Sequence, residues 1–326
     1  MRKPTWAAET HLGLHRQVNE DRYVVFSCPL GEVFVVCDGM GGHEAGEVAA
    51  TLAIQTIQAV LSQAGAEERP DYWLRRSLHA AHLTIQQAPA QGIGNPHMGT
   101  TAVVLLITPP GEAWWAHVGD SRLYLYRQGQ LQTLTRDHSL VAWYVEAGII
   151  SPAQAHRHPE SNQLLLSLGG GKDIFLVEAS PVPLKVQAGD VFLLCSDGLS
   201  GYVPEEVITQ ILGRAQPLSE KVKALIQAAL DEGGYDNVTA LLIAPQPGAS
   251  PASRMRVPYL VGLGLLLTGI VLLAGMVGFY LSKMESRAPA LTDSVPKQPQ
   301  SPADSLRSDT TIQDSAIAPS PKSSTD

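Results

Sequence analysis

Two stretches of this chain repeat one local design: Val33-Phe-Val-Val-Cys-Asp-Gly39 and Val191-Phe-Leu-Leu-Cys-Ser-Asp-Gly198. Each is an unbroken apolar run that ends in aspartate followed by glycine. Such a run reads as a strand buried on both faces, which would fix Asp38 and Asp197 at the end of a rigid element. A third run, Ala113–Val118, leads into Gly119-Asp120-Ser121-Arg122, and Gly233-Gly234-Tyr235-Asp236-Asn237 leads into the last apolar stretch. One Asp-Gly alone is an ordinary turn signal. Four aspartates on four strand ends carry more meaning. If those ends converge, the carboxylates cannot all stay ionised in a dry site, and a divalent cation is the natural partner. No Cys/His cluster offers a zinc site, so all-oxygen ligation points to Mn²⁺ or Mg²⁺.

The segment Gly13-Leu-His-Arg-Gln-Val-Asn-Glu-Asp21 can supply further parts. Glu20 could add an oxygen to a metal or to its water, and the planar fork of Arg16 suits bidentate contact with phosphate. Taken alone, Arg16 and Glu20 read better as a solvated surface ion pair. Cys37 and Cys195 adjoin the Asp-bearing turns, but the phosphate-cradling loop of a thiol phosphatase is missing, and a core role is expected.

Strands able to carry these residues are expected at 22–27, 33–37, 101–107, 113–118, 122–126, 130–134, 191–195 and 238–243, all short and β-branched or aromatic. Helices are expected at 44–63, 71–87, 204–212 and 218–231 from their apolar spacing. Runs of strands separated by helix pairs favour an α+β architecture of antiparallel sheets covered by helices over a repeating βαβ sheet.

The chain has 326 residues, enough for one large domain. Its net charge of -8 and the absence of any long basic run argue against a nucleic-acid partner. Three cysteines without paired spacing suit a reducing compartment. The first residues contain no apolar core of a signal peptide. Composition divides the chain into a domain at 1–245, a Pro/Ser/Ala linker at 246–257, an uncharged Leu/Val/Gly-rich run at 258–282, and a Pro/Ser/Thr-rich tail at 283–326. The uncharged run is long enough to cross a bilayer as one helix, and the tail is expected to be disordered. Positive charges flank the run on both sides and do not orient it. The free thiols and inferred chemistry place the domain on the cytoplasmic side of the inner membrane.

Six ordered motifs now carry a resemblance: GLHRQVNED, FVVCDGMGGHEAGEVAA, MGTTAV, AHVGDSRLYLYRQGQLQTLTRDHSLV, LLCSDGLSGYV and GGYDNVTALLI. Together they resemble the bacterial PPM/PP2C metal-dependent serine/threonine phosphatases across residues 8–244. The resemblance implies a central antiparallel β-sandwich with helices on both outer faces. It also implies roles. Asp38 would bridge two metal ions, with the Gly39 carbonyl on the first. Glu20, Asp197 and Asp236 would hold the second directly or through water, and Asp120 with Asp197 would form a weaker third site. Arg16 would bind the substrate phosphate, and Asp21 would orient metal-bound water. Substrates would be proteins phosphorylated on Ser or Thr, opposed by a serine/threonine kinase.

Two departures accompany the resemblance. Met40 stands where eukaryotic relatives commonly place the histidine proposed as general acid, which leaves the proton donor open, with His43 nearby. In the flap, 139–171, Ser161-Asn162 stands where relatives often have Arg-Asn. Met98–Thr101 is expected to serve packing near the site. The rival readings are a catalytically silent binding module, which would be expected to lack one or more of these carboxylates, and an enzyme acting on a non-protein phosphate ester.

Overall fold

The computed structural model describes residues 2–42, 45–155, 158–170 and 176–246, which all fall within one compact unit, Met1–Met255. In chain order the strands are β1 (Arg2–His11), β2 (Arg22–Cys28), β3 (Gly31–Cys37), β4 (Gly39–Met40), β5 (Gly99–Thr100), β6 (Ala102–Ile107), β7 (Glu112–Val118), β8 (Arg122–Arg127), β9 (Gln130–Thr133), β10 (Leu168–Gly169), β11 (Glu178–Ala179), β12 (Leu184–Lys185), β13 (Val191–Cys195) and β14 (Val238–Gln246). The helices are α1 (Ala45–Leu61), α2 (Pro70–Gln87), α3 (Leu140–Glu146), α4 (Pro152–Ala155), α5 (Asp197–Ser200), α6 (Glu205–Gly213) and α7 (Leu218–Asp231).

Two main sheets form, one ordered β1-β14-β13-β8-β9 and the other β11-β7-β6-β3-β2, with β12 beside β7. Every strand pair in them is antiparallel. The period of two explains why their central strands lack polar alternation. Phe34 and Val36 of β3 meet Phe192 and Leu194 of β13 and Leu241 and Ile243 of β14 between the sheets. The intervening Val33, Val35 and Cys37 face α1 and α2, while Val191, Leu193 and Cys195 pack with α6 and α7. The expected layering, helices on both faces of a sandwich, is thus written in which residues share each core.

A small sheet, β10-β5-β4, sits apart from the main two. It pairs Gly39 with Thr100 and so connects the first Asp-Gly turn to the 98–101 segment.

The long β1 was absent from the expectation because RKPTWAAETH mixes polar and apolar residues without strand-like alternation. It gains strand structure by pairing along β14, from Arg2↔Gln246 to His11↔Val238. β14 therefore runs to Gln246, one residue into the expected linker. The 258–282 run and the tail lie outside the described residues, as does His43. Among the described residues no helix is long and apolar enough to cross a membrane.

Phe192 is fully buried between the sheets. Replacing it with alanine is expected to cost about 3–5 kcal/mol, read as a lower denaturant midpoint with an unchanged slope; a loss below about 1 kcal/mol would show that the inter-sheet core collapses around the gap.

Candidate metal centre

The strand ends do converge. Asp38 leaves β3, Asp120 stands between β7 and β8, Asp197 opens α5 after β13, and Asp236 precedes β14. With Glu20, Gly39 and Arg16 they line one cleft of about 460 Å³. Asp21 does not line it. Its side chain is buried behind the cleft, where the Ser196 hydroxyl donates to Oδ2 at 2.7 Å. Every sequence-predicted site residue is thereby brought into or directly behind one cleft.

Close backbone approach makes this possible. A Cβ on Gly39 would collide with the Gly46 carbonyl, and one on Gly46 would collide with Glu20 Oε1. The two glycines let β4, the start of α1 and the Glu20 carboxylate share one space. The Gly46 N–H then donates to Glu20 Oε1 at 3.1 Å.

Several positioning groups were not singled out from sequence. Asn237 is 4% exposed and works as a three-way tie. Its Oδ1 accepts from the Glu20 N–H at 2.8 Å, and its Nδ2 donates to the Leu12 and Val18 carbonyls at 2.9 and 3.0 Å. Thr101 Oγ1 accepts from the Asp38 N–H at 3.0 Å and lies 2.6 Å from Ser121 Oγ. The Thr100 hydroxyl and Thr101 N–H both donate to the Asp38 carbonyl, each at 2.8 Å. The 98–101 segment thus packs near the site and also fixes the backbone of Asp38. Ser196, which precedes the four residues of α5, gives its side chain to Asp21 and to the Thr239 N–H instead of capping that helix. Asn237 and Ser196 each stand beside an aspartate in the sequence, and Thr100 and Thr101 do not.

Electrostatics describe a site built for cations. Burial, then Asp21, Asp197 and Asp120, hold the Asp38 carboxyl well above its ordinary range. Burial, then Asp197, do the same for Asp120. Burial and Asp236 push Asp197 up to about 6, and burial pushes Asp21 up to about 7 against the Ser196 hydrogen bond. Burial also raises Glu20, with the Gly46 N–H and Arg16 pulling the other way. Burial opposes the charge of Arg16, yet Asp236 keeps its guanidinium above the ordinary value. That pair is close, Arg16 Nη2 to Asp236 Oδ2 at 2.6 Å, and among the described residues it is the one ion pair made by these carboxylates. Asp197 Oδ1 and Asp21 Oδ1 are buried without a hydrogen-bond partner. Crowded, elevated carboxylates and an orphaned Asp197 oxygen fit hard divalent cations.

Flap residues complete the walls. Asn162, Gln163, Leu164, Leu165, Ser167 and Gly170 line the same cleft, as do Met40 and His97. His97 is a cleft imidazole that the sequence reading passed over, since nothing local marks it.

A second group, His117, His138 and Glu178, places ligand-type atoms within 4.8 Å of one another. Its protons disfavour a metal. His117 Nε2 faces the Arg136 carbonyl at 2.7 Å, and the Gly119 N–H donates to His138 Nδ1 at 3.2 Å. Both Nε2 atoms therefore carry the proton, and each lies 3.9 Å from Glu178. Burial lowers both imidazoles, His138 to about 4, so two neutral stacked rings join β7 to the segment before α3.

An oxygen-lined cleft at one end of a helix-covered β-sandwich is the arrangement expected of the metal-dependent phosphatases. A family model described as Protein phosphatase 2C matches residues 14–242, and the chain belongs to that family. It is 37% identical over 239 residues to the serine/threonine phosphatase stp of Listeria monocytogenes serovar 1/2a, covering 72% of this chain and 93% of that protein. It is 35% identical over 241 residues to the serine/threonine protein phosphatase PstP of Mycobacterium tuberculosis, covering 73% and 44%. The crystal structure of the M. tuberculosis phosphatase PstP/Ppp matches with a TM-score of 0.66 at 33% identity, over 74% of this chain and 99% of that one. A PstP catalytic domain in complex with two manganese ions matches with a TM-score of 0.62 at 32% identity, over 74% and 97%.

Two predictions arise from this geometry. Asn237→Ala strands the Glu20 N–H and two carbonyls, so a loss of about 2 kcal/mol in stability is expected, together with a higher Mn²⁺ concentration for half-activation. Full stability and unchanged Mn²⁺ response would remove the tie from the account. The second concerns pH. Asp21 and Asp197 have folded pKa values of about 7 and about 6, above the ordinary 3.8. Groups raised in this way favour the folded state below pH 3.8 and lose that contribution as pH rises through 6 to 7. The melting temperature of metal-free protein is therefore expected to fall between pH 5 and 8, and added Mn²⁺ to raise it more at pH 8 than at pH 5. Calorimetry showing an equal Mn²⁺ increment at both would contradict the assignment.

Proposed function

We propose that this chain hydrolyses phosphoserine and phosphothreonine in proteins. The observation that supports this most is the single cleft in which Glu20, Asp38, Asp120, Asp197 and Asp236 gather with one arginine at its mouth. Relatives that match over 93% of their own length are named serine/threonine phosphatases.

In this reading Asp38 and the Gly39 carbonyl, with Glu20, Asp197 and Asp236, would hold two ions, and Asp120 with Asp197 would hold a weaker third. When bound, Mn²⁺ or Mg²⁺ makes water acidic enough to attack phosphorus near neutral pH and offsets negative charge on the phosphoryl oxygens. Arg16 reaches the phosphate with two parallel N–H donors, and its reach is adjustable because it is half-exposed and held only by Asp236. Asp21 would act from behind the cleft, its carboxylate held by the Ser196 hydroxyl, which also accepts from the Thr239 N–H. Met40 has no proton to give the departing alkoxide. A silent module would be expected to have lost part of the carboxylate set, and all of it is present here.

We further propose that residues 258–282 tether the domain to the inner membrane with the cleft on the cytoplasmic side, and that a serine/threonine kinase supplies its substrates. The tether rests on the uncharged run in the sequence, and the kinase on the chemistry of the substrate.

The purified full chain is expected to release phosphate from phosphothreonine peptides and p-nitrophenyl phosphate with Mn²⁺ and not with EDTA, and Asp38→Ala to lose at least about a hundredfold in kcat/KM. Absence of turnover with Mn²⁺, or turnover indifferent to Asp38→Ala, would sink the reading. The full chain is also expected to stay with membranes through carbonate extraction, while a chain ending at Gln246 does not; release of the full chain by carbonate would refute the tether.

A further inference from the structure

Leu14, His15, Tyr202 and Tyr235 form a continuous apolar and aromatic shelf on the rim of the metal cleft. Leu14 is 62% exposed and Tyr235 54% exposed, and His15 is exposed as well. The His15 and Tyr235 rings stack with centroids 5.1 Å apart and planes 12° from parallel. Tyr202 joins from the other side at 5.7 Å. The shelf is held in place from below. The Tyr235 ring lies so close to Gly233 that a Cβ there would collide with it, and a Cβ on Gly234 would press into Leu14 and Leu230. The Leu14 N–H donates to the Gly234 carbonyl at 2.7 Å.

Single exposed apolar residues need no explanation. Exposed Leu14 and Tyr235 gathered with exposed His15 and half-buried Tyr202, two of them in a near-parallel ring stack, are a different matter. Their position is set by chain adjacency: His15 precedes Arg16, Tyr235 precedes Asp236, and Arg16 and Asp236 are paired at 2.6 Å. The shelf therefore begins where the phosphate-binding arginine ends. It contributes no charged side chain of its own, unlike the cleft beside it.

We propose that the shelf is a substrate subsite for a large apolar or aromatic side chain flanking the phosphorylated residue of the protein substrate. The proposal rests on the phosphatase reading above and adds selectivity to it. An extended peptide advances about 3.3 Å per residue, so with its phosphate at Arg16 a residue one or two positions away reaches the shelf. A phenylalanine or leucine laid there loses water on one face. The receiving rings are already stacked and surrender little freedom in return. One such side chain is worth on the order of tenfold in kcat/KM.

The test uses the Mn²⁺-loaded full chain and phosphothreonine peptides that are identical except at the flanking positions, which carry Phe, Gly or Arg. Wild type is expected to favour the Phe peptide over the Gly peptide about tenfold, through KM. Tyr235→Ala and Leu14→Ala should bring that ratio close to unity by raising KM for the Phe peptide alone, and Tyr235→Phe should keep it. Equal loss on Phe and Gly peptides would mean that Tyr235 merely supports Asp236, and overturns the proposal. A preference for the Arg peptide, through cations stacked on the rings, overturns it too. Anisotropy of labelled peptides on the Asp38→Ala chain reads binding without turnover. If no substrate is hydrolysed, the phosphatase reading fails, while a Phe-over-Gly difference in affinity, or its absence, still decides the shelf.

Discussion

Mutual repulsion among carboxylates is the constraint on which the rest of this structure depends. Asp38, Asp120, Asp197 and Asp21 each find their charge opposed first by burial and then, for the most part, by one another. Flexible loops would relieve that opposition by moving apart. Here they have no such freedom, because Asp38 follows the five buried residues that end β3 and Asp197 follows β13, which is buried throughout. The hydrophobic core, which is indifferent to charge, supplies the force that holds the charges together. Cation affinity is the stored consequence.

The two sheets divide this labour. One brings Asp38 and, across the β6–β7 turn, the approach to Asp120; the other brings Asp197 and Asp236. The cleft therefore exists only when the sheets face each other, and Phe34, Phe192 and Leu241 between them matter to the site although they touch none of it. Around this rigid base the hydrogen bonds of Asn237, Thr101 and Ser196 fix backbone directions. Arg16 and the flap remain at the mouth, where a substrate needs adjustable partners.

What the sequence revealed follows from how local each cause is. Strands buried on both faces announce themselves as apolar runs, so β6 and β13 were legible nearly to the residue, and β3 and β14 over their buried parts. Helices α1, α2, α6 and α7 were legible by period. β1 was not, because its strand conformation comes from a partner more than two hundred residues away. The Asp-Gly repetition disclosed half of the site. Glu20 and Arg16 read from their own neighbourhood as a plain ion pair, and only the six ordered motifs gave them a role. Asn237, Ser196 and Thr101 stayed hidden because a polar side chain's partner cannot be read from its own neighbourhood. The shelf of Leu14, His15, Tyr202 and Tyr235 was hidden for the same reason, being assembled from three separate segments.

The pairing of β1 with β14 has a consequence for the order in which the protein is made. The strand synthesised first waits, unpaired, until the last strand of the domain has left the ribosome. Asn237 holds the Glu20 loop, and Asp236 holds Arg16, so the reaction cleft closes at the same late moment. Joining such distant segments is entropically slow. A chain that stops just before residue 236 has the other strands of the sandwich and lacks β14, Asp236 and Asn237, so its cleft is incomplete. The cleft is therefore completed by the end of the domain and not by degrees.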